Sequence, residues 1–553
     1  MRGRQVFMDS LRAHGVRFVF GNPGTTESPL LDSLRDYPDI QYVTTLHEGV
    51  ALSAAGHYAQ ASDRTGVVNV HVAPGLGNAL GSLYGAMRAG SPMIVTAGQQ
   101  DTRFRLRDPM LQHDLVAMAR PLVKWSVQVE HADEMAPIMR RAFKVANDPP
   151  RGPVFVALPV NVMEQETEIA AQTAGALHRA SLPEPEGVLE LADHLVAAGQ
   201  PAIVAGDDVA RRGAMDALVE LAESTGAAIY HEGMRQHISF PNRHPNHCGP
   251  LPFEAGAIRD ALAGHDLVLL VGGPFFEEVW YDPHPPVAEG TRVCQVADHP
   301  ELLARHMSLD TGLLGDLATT LSALPPVLAE RGGAPYADAA EARNTRLKSA
   351  NTEALLAREE RLRAHWDARP MTPGRALLEL ARALPESGIV VDESITAGPA
   401  LADAFEFRRP HDYYGQRGGG IGQGIAGALG VKIAHPRRPV VAITGDGSAM
   451  YQIQALWTAA ELGLGILFVV LANGEYRVLK HNLDTYRRRF HAASNHPYPH
   501  MDLAPELDFV SMAAGMGVPG TRIVDPEELC EAARVALGAG DPHVIEVSVS
   551  GKQ

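Results

Sequence analysis

Two short runs late in the chain, Pro439-Val-Val-Ala-Ile-Thr444 and Ile466-Leu-Phe-Val-Val-Leu471, are apolar and rich in β-branched residues almost throughout. A strand with one wet face alternates polar and apolar positions, so an unbroken run must be covered on both faces. The segment between them reads as a helix. Two buried strands joined by a helix make a parallel βαβ unit. The first strand runs into Gly445-Asp446-Gly447-Ser448, and Asn473-Gly474-Glu475-Tyr476 follows the second. Open α/β sheets bind ligands at the C-terminal ends of such strands. Gly445 and Gly447 let a ligand approach the backbone closely. Asp446 and Asn473 offer two oxygens at neighbouring strand ends. That donor set suits a hard cation such as Mg²⁺, with a diphosphate bridged by it.

The same alternation covers the chain. Strands are expected at Arg17–Phe20, Ile40–Val43, Gly66–Val70, Pro92–Thr96 and Pro153–Ala157, with helices between them. A polar, proline-bearing linker spans 166–185. A second block places strands at Pro201–Val204, Ala227–Tyr230, Asp266–Val271 and Arg292–Val296. Residues 331–368 are charged, alanine-rich and helical, a connector to the third block near Met371. The pattern predicts an α/β protein of three doubly wound parallel-sheet domains, 1–165, 186–330 and 371–553.

The net charge of −17 argues against a nucleic-acid partner. Arg487-Arg488-Arg489 does not overturn this and reads as a solvated loop. Cys248, Cys294 and Cys530 are sparse and odd in number, which points to a reducing compartment without disulfides. No apolar run reaches membrane-spanning length and no signal-peptide core is visible, so a cytoplasmic protein is expected. Val271-Gly272-Gly273-Pro274 follows a strand but lacks the Gly-x-Gly-x-x-Gly pattern. A nucleotide site in the middle block is therefore less favoured than a structural Rossmann-like domain.

Gly-Asp-Gly followed at this spacing by Asn resembles the cofactor signature of thiamine diphosphate enzymes. Gly21-Asn22-Pro23-Gly24-Thr25-Thr26-Glu27 and Leu46-His47-Glu48-Gly49 resemble the other half of the same site. Gly98-Gln99-Gln100, Arg120–Trp125, Tyr281-Asp282-Pro283 and Ala455–Ala460 are similar to the benzoylformate decarboxylase branch. The resemblance implies thiamine diphosphate and Mg²⁺ as cofactors and a 2-oxo acid or aldehyde substrate. It also implies a homodimer or homotetramer with shared sites. Asp446, Asn473 and the Glu475 carbonyl would hold the metal. Ser448, Gly474, Tyr476, Ser394 and Thr396 would meet the diphosphate, and Gly445 and Gly447 would line its turn. Gly419 would accept from the aminopyrimidine, Ile421 would wedge the cofactor, and Pro23 and Gly24 would lie beside it. Glu48 would bond the pyrimidine nitrogen, although a glutamate starting a helix is also favoured by the macrodipole alone. His71 would orient the substrate and move protons, with Thr25 where the branch has a serine. Gln112 resembles a glutamine of acetolactate synthases; a surface loop residue is nearly as good a reading.

Departures from the branch bear on the substrate. Val279 stands where a second histidine is expected, and valine transfers no proton. Gly415, Val478 and Asn482 replace bulkier pocket residues, while Gln416 and Arg417 add polarity. Arg417 offers a charge-assisted bond to a second anionic group. A polar 2-oxo acid is thus expected over a phenyl one. The polar stretch holding His481, His491, His496 and His500 could form a lid. The expected activity is a 2-oxo acid decarboxylase or carboligase. The alternatives are an acetolactate-synthase-like carboligase, a Rossmann-type nucleotide-binding protein, and a catalytically silent scaffold, which retained Glu48, Asp446 and Asn473 oppose.

Overall fold

The computed structural model describes residues 1–492, 494 and 496–551. The chain forms two compact units. The first holds Met1–Leu177, His365–Leu401 and Gln416–Gln553; the second holds His178–Ala364 and Ala402–Gly415.

In the first unit, strands β1 (Phe18–Gly21), β2 (Gln41–Thr44), β3 (Gly66–Val70), β4 (Met93–Gln99), β5 (Trp125–Gln128) and β6 (Pro153–Pro159) form one sheet. Its order is β2-β1-β3-β4-β6-β5, and every pairing is parallel. Strands β3, β4 and β6 are buried at every residue. Helices on both faces do this, as the unbroken apolar runs require. Val6, Phe7, Leu11, Ile94, Met139 and Phe143 belong to the core on one side of this sheet.

The second unit carries β7 (Pro201–Ala205), β8 (Ala228–His231), β9 (His247–Pro250), β10 (Leu267–Val271), β11 (Arg292–Ala297) and β12 (Thr311–Leu314) in the order β12-β11-β10-β7-β8-β9. All its pairings are parallel too. The expected connector helix belongs to a longer run, Leu317–Arg363, broken at Gly333 where φ is +58°. Proline at 325, 326 and 335 and that left-handed glycine explain the break. The linker at 166–184 has no helix or strand.

A third sheet follows. Its strands in the first unit are β13 (Ile389–Glu393), β15 (Val440–Gly445), β16 (Ile466–Ala472), β17 (Gly520–Ile523) and β18 (His543–Ser548), while the two-residue β14 (Tyr413–Tyr414) belongs to the second unit. Within the first unit the order is β13-β15-β16-β18-β17, again parallel. The Gln423–Ala434 helix packs against the Glu48–Ser62 helix of the first sheet. A Cβ at Gly430 would strike the Ala54 carbonyl, so only glycine permits this approach.

No described helix is long and apolar enough to cross a membrane. Cys248, Cys294 and Cys530 are free.

Candidate active site

The first group of site residues gathers at the C-terminal ends of β1, β2, β3 and β4. The sheet order β2-β1-β3-β4 reverses direction between β1 and β3, which opens a crevice there. His47 caps the Glu48–Ser62 helix, its Nδ1 accepting from the Gly49 N–H at 3.0 Å. The cap places Glu48 on the first turn, 5% exposed. Its Oε1 accepts from Asn22 Nδ2 at 3.3 Å and its Oε2 from Asn78 Nδ2 at 3.0 Å. Two neutral amides orient the carboxylate without cancelling its charge, and no cation pairs with it among the described residues.

His71 begins the turn into the Val72–Arg88 helix. Its Nδ1 lies 2.7 Å from Glu27 Oε2 and 3.3 Å from Thr26 Oγ1. Glu27 is 2% exposed and also accepts from the N–H groups of Gly24 and Gly98 and from the Thr26 hydroxyl. Gly24 is where a Cβ would overlap the His71 ring. Val72, the next residue, has φ +39°, a costly left-handed geometry for a β-branched side chain. That strain fixes the direction in which His71 leaves its strand. Burial, with Glu27 and Glu48 nearby, pushes the Tyr42 phenol up from its ordinary value.

Thr25 is exposed, whereas Thr26 is the hydroxyl that reaches His71. Pro23 and Gly24 lie in the same turn, half-buried. Gln112 is elsewhere. It lines a polar cavity of about 300 Å³ with Gln99, Gln100, Arg105 and His113. Its buried Oε1 has no hydrogen-bond partner.

The second group lies at the ends of the adjacent strands β15 and β16. Asp446 Oδ2 accepts from the N–H groups of Asn473 at 2.9 Å and Gly474 at 2.7 Å, and Oδ1 from Gly447 at 2.7 Å. Asn473 Oδ1 accepts from the Glu475 N–H at 3.0 Å. Burial pushes the Asp446 carboxyl up, against those backbone bonds. A carboxylate and an amide carbonyl set side by side, with neighbouring N–H groups that favour negative charge, fit a hard cation carrying a diphosphate. Ser448 is buried in the short helix after Asp446, and the Tyr476 N–H donates to Met501 O at 2.7 Å. Ser394 turns its hydroxyl to Asp392 at 2.6 Å. Thr396 lies on the turn after β13.

Gly419 sits at φ +69° in the loop that ends at Ile421 and leads into the Gln423–Ala434 helix. Glu393 holds that loop, accepting from the N–H groups of Gly422 at 2.6 Å and Gly424 at 2.9 Å. Burial pushes its carboxyl up to about 8.

Asn22, Glu27, Asn78 and Glu393 escaped sequence reasoning. Glu27 carried one signal: an acidic side chain inside a Gly- and Thr-rich turn after a buried strand. Arg417, which the substrate argument invoked, is fully buried in this chain. The expected lid begins with a helix, Arg477–Arg489. Lys480 pairs with Glu475 and Asp502, and the Tyr498 hydroxyl bonds Asp484 at 2.8 Å. In the second unit, Asp207 accepts from the Gln236 and His237 N–H groups just beyond β7. Arg211 pairs with Asp208 and Arg212 with Asp298, so the acidic cluster at Asp208, Asp298 and His299 is already neutralised.

Three family models match the chain. They are the thiamine pyrophosphate enzyme N-terminal domain over residues 1–118, the central domain over 188–324 and the C-terminal domain over 396–547. The chain belongs to the thiamine pyrophosphate enzyme family. It is 34% identical to benzoylformate decarboxylase of Pseudomonas aeruginosa, over 97% of each chain. It is 26% identical to an acetolactate synthase large subunit of Parasynechococcus marenigrum, covering 99% of this chain and 87% of that one. A solved 4-hydroxybenzoylformate decarboxylase of Rhodococcus jostii RHA1 superposes with a TM-score of 0.86 at 29% identity, over 100% of this chain and 99% of that one. The three-domain α/β expectation agrees with these relatives, and the protein is a thiamine pyrophosphate-dependent enzyme.

Proposed function

We propose that the protein decarboxylates a 2-oxo acid to an aldehyde, with Mg²⁺ anchoring the cofactor diphosphate. Thiamine diphosphate, when bound, supplies a nucleophilic carbon and the electron sink for breaking the bond next to a carbonyl. The observation that carries the reading is the pair of buried carboxylates in one crevice, each with a different partner. Glu48 is held only by amides and is free to share a proton with the pyrimidine nitrogen. Glu27 is committed to His71, so that His71 keeps Nε2 for the substrate. Thr25 would offer a further hydroxyl to the substrate. Asp446, Asn473 and the Glu475 carbonyl would hold the metal. Ser448, Gly474, Tyr476, Ser394 and Thr396, with Gly445 and Gly447, would hold the diphosphate, while Gly419, Ile421, Pro23 and Gly24 would receive the aminopyrimidine end. The domains of this reading are 1–165 (pyrimidine-binding), 186–330 (central) and 371–553 (diphosphate-binding). The enzyme works in the cytoplasm as a homodimer or a dimer of dimers.

The substrate is a polar 2-oxo acid rather than benzoylformate. Val279, 65% exposed, cannot replace a proton-transferring histidine. Gly415 cannot gain the side chain a phenyl pocket needs, because a Cβ there would strike the Arg235 carbonyl. The test is kcat/KM for benzoylformate, pyruvate, 2-oxoglutarate and other polar 2-oxo acids side by side, with products identified. Benzoylformate as the clearly better substrate would refute the pocket argument. A second reading, carboligation, draws on Gln112, whose unpartnered buried oxygen could take a hydrogen bond from a second substrate. Condensation products formed from two 2-oxo acids, and lost in Gln112→Ala, would favour it.

A further inference from the structure

A cavity of about 710 Å³ opens at the N-terminal edge of the first sheet, the side away from the strand ends that carry the candidate site. It is lined by Arg17 and Arg64, by Lys432 and His435, and by the rings of Phe18 and Tyr58. None of the described acidic residues lines it. Phe18 and Tyr58 meet edge to face at 5.5 Å. Arg64 gives one donor to the Gly15 carbonyl at 3.2 Å, and Lys432 gives one to the Arg438 carbonyl at 3.0 Å. Each cation therefore keeps further donors for a ligand. Asp63, the nearest acid in sequence to Arg64, is taken by Arg151 at 2.6 Å. Burial alone, with no counter-charge, pulls the Lys432 ammonium down.

The carbonyl ends of two helices also point here, and basic side chains suit such ends. That accounts for the signs of the charges. It does not account for a roomy cavity with aromatic walls between them. The two helices are Glu48–Ser62, which ends at the cavity with Tyr58 to Ser62, and Gln423–Ala434, which ends there with Lys432 to Ala434. Their other ends carry Glu48 and the Gly419–Ile421 loop, about 20 Å away by helical rise. The glycine contact between them makes one stiff pair running from cavity to cofactor residues.

We propose that this cavity is an effector site for a small organic anion, an oxyanion attached to a flat apolar body, acting on cofactor binding through the helix pair. The cations take the oxyanion by charge-assisted bonds and the rings take the apolar part.

The test is calorimetry on enzyme loaded with thiamine diphosphate and Mg²⁺, so that the diphosphate site is filled. The probes are phenyl phosphate and inorganic phosphate. One saturable phenyl phosphate site per chain is expected, tighter than phosphate. Arg64→Gln and Lys432→Gln should each weaken it about tenfold, while Lys432→Arg and His71→Ala should leave it in place. Retained cofactor binding shows that a variant is folded. Phenyl phosphate should also shift the apparent thiamine diphosphate affinity about fivefold or more. The proposal falls if neither probe binds saturably, or if both charge variants bind like the wild type. It also falls if His71→Ala abolishes binding, which would place the probe in the substrate site. Equal affinity for the two probes would overturn the apolar half, and an unchanged cofactor affinity would overturn the effector role.

Discussion

Glu27 Oε2 lies 2.7 Å from His71 Nδ1, across 44 residues of sequence. A carboxylate only accepts, so Nδ1 donates this bond, and Nε2 is the ring nitrogen turned away from Glu27. Glu27 is itself locked by Gly24, Thr26 and Gly98. The ring therefore has one orientation and one tautomer.

Glu27→Gln breaks that specification, because the amide can donate to Nδ1 and turn the other tautomer toward the substrate. The expected loss in kcat/KM is about 10²-fold, with thiamine diphosphate affinity unchanged. The pH profile should shift as well, which a merely structural role would not produce. Wild-type kinetics and pH profile in the variant would show that the pair does not serve His71.

Asp446→Ala should abolish retention of thiamine diphosphate while the chain stays folded. The variant removes the carboxylate at the end of β15, and a hard cation held there would lose its charged ligand. Calorimetry with Mg²⁺ present checks it; unchanged affinity would remove Asp446 from the metal site.

What the sequence made legible follows from burial. Strands β3, β4, β15 and β16 were readable because a strand covered on both faces must be apolar along its length. The edge strands β9 and β12 alternate between buried and exposed residues, and β5 and β17 are half-open; such short stretches resemble loops. The placement of Asp446 and Asn473 at neighbouring strand ends was readable because each follows a strand within a local motif. The Glu27–His71 and Glu393–Gly422 bonds were not, since each joins residues far apart in sequence, on segments that only the folded chain brings together. The burial of Arg417 was hidden for a related reason: the sequence shows a cation near a Gly-rich turn but not the fold that covers it.

Glu393 gives a pH dependence with a definite sign. Its carboxyl is pushed up to about 8 by burial, from an ordinary value of 4.5. Between those values the folded chain holds a proton that the unfolded chain has released, so stability falls as pH rises from about 5 to 8. Above that range the loss is complete. Glu393→Gln mimics the neutral acid and should flatten this part of the profile. Thermal unfolding of both proteins from pH 5 to 9 measures it, and identical slopes would contradict the assignment.

The last expectation concerns how the two residue groups meet. Glu48 and Asp446 lie at the ends of different sheets, and no hydrogen bond or ion pair joins them among the described residues. Exposed apolar side chains flank both: Leu46 at 49% beside Glu48, and Met450 and Tyr451 at 38% and 55% beyond Asp446. Apolar side chains in these places suit a contact with another chain. A second copy, related by a two-fold axis, would cover both patches and join Glu48 of each chain to Asp446 of the other. Glu48→Gln alone should bind cofactor but exchange its C2 proton at least ~10²-fold more slowly, and Asp446→Ala alone should be inactive. Mixed under subunit exchange, half the dimers are mixed and one of their two sites has both halves intact. About a quarter of wild-type activity should return. If exchange is demonstrated by mass and no activity returns, each site lies within one chain.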